Sequence, residues 1–155
     1  MKKLLFVAAC AALSSVAAAS AASPPGPPTT VLNFFDRTTN FVGSPGTEGR
    51  PPRVGDSFTF RDEVYRWTGG RPGAHVGHAD VLVLFQSGQV VRIEATASLP
   101  GGTLEVSGVS GPGPTTQLAV VGGTGRYATA RGQLTVRNLG GENSNHSAIT
   151  IRLWQ

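Results

Sequence analysis

The chain is built from short segments in which apolar and polar residues alternate, with turn-forming clusters between them. A period of two places successive side chains on opposite faces of a strand, as in a half-buried β-sheet. No segment combines a helical apolar period with capping residues. The strands are predicted at residues 31–39, 57–67, 75–86, 89–99, 103–110, 117–122, 132–138 and 147–154. Eight short strands at this spacing predict an all-β, antiparallel sandwich or barrel, and periodicity alone does not choose between the two.

The most distinctive connection reads Gly-Gly-Thr-Gly-Arg-Tyr-Ala-Thr-Ala-Arg-Gly, from Gly122 to Gly132. Its first glycines permit the positive φ values that a tight connection needs, and alternation resumes directly after Gly132. The phrase therefore predicts a turn with a strand edge on each side. A second connection, Ser87-Gly88, lies between two β-rich runs and predicts a two-residue hairpin.

The N-terminal residues have the pattern of a secretory signal peptide. Lys2 and Lys3 precede an Ala-rich apolar stretch, and small residues follow up to residue 22. An alternative is a lipoprotein signal with Cys10 as the lipidated residue. Residues 23–30 are rich in proline and predict an extended linker, which leaves 31–155 as one folded domain. We expect a secreted or periplasmic protein without a membrane span, since the apolar stretch is too short.

The charge and the cysteine content exclude several classes of function. After removal of the signal, 11 Arg oppose 9 acidic residues, a formal charge of 11 minus 9, or +2. The arginines are scattered singly, so no nucleic-acid partner is expected. The same region contains no Cys, and His75 and His78 would face opposite sides of a strand. We therefore expect no metal site and no cofactor.

The sequence resembles the dirigent proteins and the allene oxide cyclase barrels over almost the whole predicted domain. The stretch Val54-Gly-Asp-Ser-Phe-Thr-Phe60 is similar to a Gly-Asp…Phe pattern of these barrels, and the connection from Gly122 is similar to the dirigent Gly-Gly-Thr-Gly-x-Phe-x-x-Ala-Arg-Gly phrase. The segments that carry the likeness, in family order, are 54–65, 76–82, 92–108 and 122–132.

This resemblance implies a calycin-type, eight-stranded antiparallel barrel, commonly a homotrimer, with an apolar cavity. In the family the cavity controls the conformation of a reactive molecule during cyclisation or coupling, which is catalysis by positioning and by exclusion of water. The pocket Cys of the allene oxide cyclases is missing here, where the strand reads Val81-Leu-Val83. Jasmonate-type cyclase activity is therefore not expected. Ala128 stands where dirigent proteins often have Arg, so their substrate is not expected to transfer.

Two aspartates are candidate catalytic residues. Asp36 matches the Asp of the dirigent Phe-x-His-Asp pattern, and it either faces the lumen or points outward to pair with Arg37. Asp80 lies in an almost wholly apolar run. If it faces the cavity its pKa would rise, which suits an acid, and otherwise it lies at the rim.

Five further residues are candidate ligand contacts. Arg92 and Glu94 share one strand face, which is either a polar cluster in the lumen or a solvated outer surface. Arg131 lies in the glycine-rich connection, where it either serves the site or binds turn carbonyls. Phe34 and Tyr65 are the aromatic candidates.

The sequence leaves three functions open. The first is binding of a small apolar or phenolic molecule in the lumen, with guidance of its cyclisation or coupling. The second is a structural or interaction barrel with a filled core. The third is a natural-product cyclase in which Asp36 or Asp80 transfers a proton. A cavity above roughly 300 Å³ lined by these aspartates would favour the first or the third.

Overall fold

A computed structural model describes residues 26–87, 89–140 and 145–154. The predicted signal peptide lies outside these residues, as does Gly88 of the predicted hairpin. The strands are β1 Thr30–Gly43, β2 Ser57–Thr68, β3 Arg71–Ser87, β4 Val90–Leu99, β5 Gly102–Ser110, β6 Thr115–Gly123, β7 Arg131–Asn138 and β8 His146–Trp154.

All eight predicted strands are present, and they form one closed antiparallel barrel in chain order. The last strand pairs with the first, from Thr30 opposite Leu153 to Arg37 opposite His146. Closure leaves no strand edge exposed, and it decides for the barrel over the sandwich. Strands β1 and β3 are longer than predicted. The register shifts at Thr38/Asn40 in β1 and at Val64/Tyr65 in β2, where the regular pairing of the two strands with their neighbours is interrupted.

The end of the predicted linker is attached to the barrel. The Thr29 backbone N–H donates to the Leu153 carbonyl at 2.9 Å, and the Trp154 indole N–H donates to the Gly26 carbonyl at 2.6 Å. The first barrel strand accordingly starts at Thr30, one residue before the prediction.

The glycine-rich connection closes one end of the barrel. It contains a 3₁₀ turn, Gly125–Tyr127, which the sequence did not indicate, and Tyr127 and Ala130 are buried in the core. Gly125 has φ +58°, and a Cβ there would collide with the Gly101 carbonyl of the neighbouring connection. Only glycine permits both the left-handed backbone and this close approach. The interpretation of the phrase as a turn with strands on both sides is confirmed.

The core occupies the half of the barrel next to this connection. Leu104 and Leu153 are its largest fully buried side chains, and apolar residues at every second strand position surround them. Polar residues lie at the other end of the interior, where β1 and β7 end and β2 and β8 begin. This unequal filling positions the candidate site.

Candidate functional site in the barrel lumen

The lumen encloses a cavity of about 230 Å³. Its walls are mainly small or branched apolar side chains from all eight strands, among them Ala95, Ala97, Ile93 and Val106. Small residues leave the space, because alanine at these inward positions cannot fill a barrel of this width. The cavity is smaller than most pockets for drug-sized ligands, and larger than the roughly 150 Å³ that suffices for benzene.

Polar side chains gather at one end of the cavity. They come from strands that are neighbours around the barrel, and they are Asp36, Thr38, Asp62, Thr116, Asn138 and Ser147. Asn138 is exposed, so this end lies close to solvent, whereas the opposite end is closed by the apolar core.

A pair of buried carboxyl groups forms the centre of this polar end. Asp36 and Asp62 are only 5% and 7% exposed. In the β1–β2 register Asp36 lies opposite Val64 and Thr38 lies opposite Asp62, so the two aspartates are diagonal neighbours on the inward face. The Thr38 hydroxyl donates to Asp62 Oδ1 at 2.6 Å. Ser147 lies directly opposite Asp36 on β8, and its hydroxyl donates to Asn138 Oδ1 at 3.3 Å.

One atom of this pair lacks a partner. Asp36 Oδ1 is buried and makes no hydrogen bond within the described part of the chain. A buried carboxyl oxygen without a donor is costly, and native proteins rarely retain one without a reason. Because Asp36 lines the cavity, this unpartnered oxygen lies close to the space that a bound molecule would occupy.

The pair is arranged to hold a proton near neutral pH. Burial, followed by the charge of Asp62, raises the pKa of Asp36 from 3.8 to about 7, and the neighbouring Ser147 only partly opposes this. Burial also raises the pKa of Asp62, while its bonds with Thr38 and Asp36 act in the other direction. Two carboxyl groups this close and this buried cannot both ionise cheaply, so they titrate as one system.

Of the residues predicted from the sequence, Phe34 and Asp36 line the cavity. For Asp36 this decides between the two orientations, because it points inward and Arg37 points outward to the Tyr65 hydroxyl at 3.2 Å. The catalytic role of Asp36 stays a prediction.

Asp80 does not line the cavity, which is the orientation in which it would have a raised pKa and act as an acid. Its side chain is 58% exposed on the outer surface, where Arg61 Nε and Nη2 donate to its two oxygens at 2.8 and 3.0 Å. The Arg61 guanidinium lowers the pKa of Asp80, the opposite of what an acid in an apolar cavity requires. The physical reason is strand phase: Ala79 and Val81 point inward, so Asp80 must point outward.

The other predicted contacts also lie outside the lumen. Arg92 Nε donates to Glu94 Oε1 at 2.9 Å on the exposed face of β4, which agrees with a solvated outer surface. Tyr65 packs edge-on against Phe35 outside the barrel. Arg131 donates to the Ala130 carbonyl at 2.7 Å, as expected for a structural arginine in a turn.

A larger depression, of about 780 Å³, lies on the outside of the barrel and is lined by residues of β1 to β6. Exposed side chains such as Asp80, Leu82 and Glu94 line it. It is a surface groove, and it lacks the buried polar groups that distinguish the lumen.

Sequence reasoning missed Asp62, Thr38 and Ser147. A signal for Asp62 was present, because it alternates in phase with Phe60 and Val64 in a strand whose apolar face must point inward. Thr38 and Ser147 had no comparable signal. Their place in the site depends on the register of β1 with β2 and β8.

The residues that the structure describes contain no group of three or more His, Cys, Asp or Glu side chains placed to hold a metal ion. No helix within the same residues is long and apolar enough to cross a membrane.

Solved structures with the same fold include three of different activity. A pyocyanin demethylase is 21% identical, with a TM-score of 0.65 over 81% of this chain and 100% of that one. The pterocarpan synthase dirigent protein PsPTS1 is 18% identical, with a TM-score of 0.63 over 81% and 96%. AbnU, an exo-specific intermolecular Diels-Alderase, is 16% identical, with a TM-score of 0.64 over 80% and 95%.

No protein-family model and no curated protein matches the sequence. At these identities the structural likeness establishes the fold. The resemblance to dirigent-type barrels that the sequence carries is confirmed at that level.

Proposed function

We propose that this chain is an exported barrel that binds a compact, mainly apolar molecule in its lumen and guides its cyclisation or coupling. The observation that carries the proposal is the buried Asp36–Asp62 pair, with a free Asp36 oxygen, at one end of an otherwise apolar cavity. The signal-peptide pattern of residues 1–22 supports the export.

The cavity would act first by positioning. A cavity of about 230 Å³ admits a molecule of one ring, or of two small ones, only in a compact conformation. Side chains such as Ile93 and Val106 would hold the molecule in that conformation. Confinement of this kind converts a flexible precursor into a near-attack geometry and excludes the water that would quench a reactive intermediate. The similar structures include a pterocarpan synthase dirigent protein and an intermolecular Diels-Alderase, activities that such a cavity would suit.

The carboxyl pair would act second, on the polar end of the bound molecule. With a pKa of about 7, Asp36 is protonated in a large fraction of molecules at neutral pH and can donate to a carbonyl or phenolic oxygen. The same group, once ionised, can take the proton back. A positioned acid or base of matched pKa contributes roughly 10²–10⁴-fold to a rate.

A second candidate is a structural barrel without a ligand. The observation in its favour is the cavity volume of about 230 Å³, which lies below the range of about 300 Å³ or more that is usual for ligand pockets. The two proposals predict different results when the lumen is filled by a larger side chain. A binding barrel would lose its ligand, whereas a structural barrel would have no ligand to lose.

The test begins with native mass spectrometry of the full chain, exported and purified from culture supernatant. The expected result is a mass increment from a bound small molecule. The same spectrum reports whether the chain forms the homotrimer implied by the family resemblance.

The identified molecule is then offered to two variants of matched chemistry. Ala95→Leu fills the lumen, whereas Ala119→Leu adds the same atoms on the exposed face of β6. We expect the first to abolish binding and the second to leave it unchanged. Recovery of ligand-free protein that binds no fraction of a supernatant extract, with both variants identical to wild type, would favour the structural barrel.

Catalysis is tested separately on the same molecule. We expect Asp36→Asn to lower turnover by about 100-fold or more while binding persists, because the amide keeps the shape and loses the transferable proton. Asp80→Asn, on the outer surface, is the control. Equal turnover in the two variants would leave a binding protein in which Asp36 has no catalytic part.

A further inference from the structure

The charge of the lumen limits what kind of molecule can occupy it. We infer that the site proposed above selects a compact ring that carries one positively charged nitrogen and rejects carboxylates and phosphates. This inference rests on the proposed lumen site and adds the chemical class of its ligand.

The described residues that line the cavity include two carboxyl groups and no Arg, Lys or His. The basic residues next to the pair along the strands point away from it. Arg37 donates to Tyr65 outside the barrel, the His146 ring packs on Phe35 with centroids 5.2 Å apart, and Arg137 lines an outer groove.

The carboxylate of β3 and its cation are turned outward as well, since Asp80 and Arg61 bind each other on the surface. The Glu63 carboxylate of β2 binds His75 at 2.6 Å, again on the outer face. The net charge of the interior is therefore set by Asp36 and Asp62 alone, and it becomes negative as soon as the pair gives up one proton.

The unpartnered Asp36 oxygen determines which polar group of a ligand is preferred. A protonated amine brings both a hydrogen to donate and the opposite charge, and such charge-assisted bonds are roughly twice as strong as neutral ones. A neutral hydroxyl brings only the hydrogen. A carboxylate brings a second negative charge into apolar walls that offer no cation, which is the costliest case.

The walls and the volume set the remainder of the ligand. The surfaces of Phe34, Ile93 and Val136 are apolar, so the body of the molecule must be a hydrocarbon or aromatic ring. A cavity of about 230 Å³ admits one ring and a short side arm, given that roughly 150 Å³ suffices for benzene.

Three probes of equal size separate the possible charges: benzylammonium, benzyl alcohol and benzoate. Titration calorimetry with the full chain at about pH 7 should rank them in that order, with the ammonium bound roughly tenfold more tightly than the alcohol and benzoate weakest. NMR shifts of the Ala79, Ala95 and Ala97 methyl groups locate the binding in the lumen.

The ammonium should also displace a proton. Its charge favours the ionised pair, so binding at about pH 6 should release up to one proton, which calorimetry detects as a dependence on the ionisation enthalpy of the buffer. Benzyl alcohol should release none.

The variant that tests the cause is Asp36→Asn combined with Asp62→Asn, which removes the charge and keeps the shape. We expect it to bind benzylammonium and benzyl alcohol equally, with no proton release. The Asp80→Asn control, which removes an exterior carboxylate, should retain the wild-type ranking. If the double variant does not fold, Asp36→Asn alone must reduce the proton release, and a release equal to that of wild type would overturn the inference.

The outcomes distinguish this inference from the proposed function. If the alcohol or benzoate binds in the lumen as tightly as the ammonium, the lumen binds ligands and the charge selection is wrong. If none of the three shifts the alanine methyl groups, the lumen site itself fails and the inference fails with it.

Discussion

The buried carboxyl pair makes the stability of the barrel depend on pH in an unusual direction. An acidic side chain in a folded protein more often has a lowered pKa, and stability is then lost in acid. Here the pKa of Asp36 is raised from 3.8 to about 7, so between these values the folded chain binds a proton that the unfolded chain has released. Folding stability must therefore be greatest below about pH 4 as far as this group is concerned, and must fall as the pH rises to about 7.

The size of the effect follows from the shift. About three pKa units correspond to roughly 4 kcal/mol of unfolding free energy, at no more than about 1.4 kcal/mol for each pH unit. A domain of this size has a total stability of about 5–15 kcal/mol, so the loss is a large share of it. With a urea m-value of about 2 kcal/mol/M, the midpoint should fall by roughly 2 M between about pH 4 and pH 8.

The assay is urea unfolding followed by circular dichroism at a series of pH values, on wild type and on Asp36→Asn. The variant keeps a neutral group at the site at every pH and leaves Asp62 with its bond from Thr38. Its curve should be much flatter, with higher stability than wild type at about pH 8. All three histidines and Asp62 are retained in the variant, so the difference between the two curves isolates the contribution of Asp36.

Asp80→Asn is the matched control, because the Arg61 guanidinium lowers the pKa of that carboxyl and places its titration in acid. It should follow the wild-type slope above about pH 5. The reasoning is refuted if wild type shows no loss of stability between about pH 5 and pH 8, or if Asp36→Asn loses as much as wild type does.

Two predictions concern the closed end of the barrel. Gly125→Ala should lower the unfolding free energy by about 2 kcal/mol or more, since it adds both left-handed strain and a collision with the Gly101 carbonyl. Gly46 also has a positive φ, +79°, but open space surrounds it, so Gly46→Ala should lower the unfolding free energy by less. Equal losses in the two variants would show that the close approach at Gly125 is unimportant. Leu104→Ala should lower the unfolding free energy by about 2–5 kcal/mol, because the side chain is fully buried in the core. A loss below about 1 kcal/mol in the same urea assay would contradict tight packing at the closed end of the barrel.

The strands were predictable because their determinants are local. Alternation and turn residues lie within each segment, and all eight segments became strands. Closure was different, since pairing β1 with β8 joins Leu32 to Ile151 across almost the whole domain. Nothing in the period of a single strand encodes that partner, so the choice of a barrel had to come from the family resemblance.

Whether a charged side chain points into or out of the barrel was predictable only where one face of its strand is clearly apolar. Around Asp80 both faces are apolar, with Leu82 outside and Val81 inside, so the phase of β3 could not be determined from its sequence. In β2 the phase was legible, because Phe60 and Val64 bracket Asp62 at every second position. That the Asp62 carboxyl meets Asp36 depends on the β1–β2 register, which no single strand encodes.

The two ends of the interior show what the barrel does not need for stability. At the closed end, Leu104, Tyr127 and Leu153 fill the space with apolar side chains, which is what folding alone would favour throughout. At the polar end, Asp36 and Asp62 occupy equivalent inward positions at a cost in stability that rises through neutral pH. Nearly any apolar pair there would stabilise the fold more. A costly arrangement next to a cavity is typical of a site retained for its chemistry, so a gain in stability from Asp36→Asn would support a functional role for the pair.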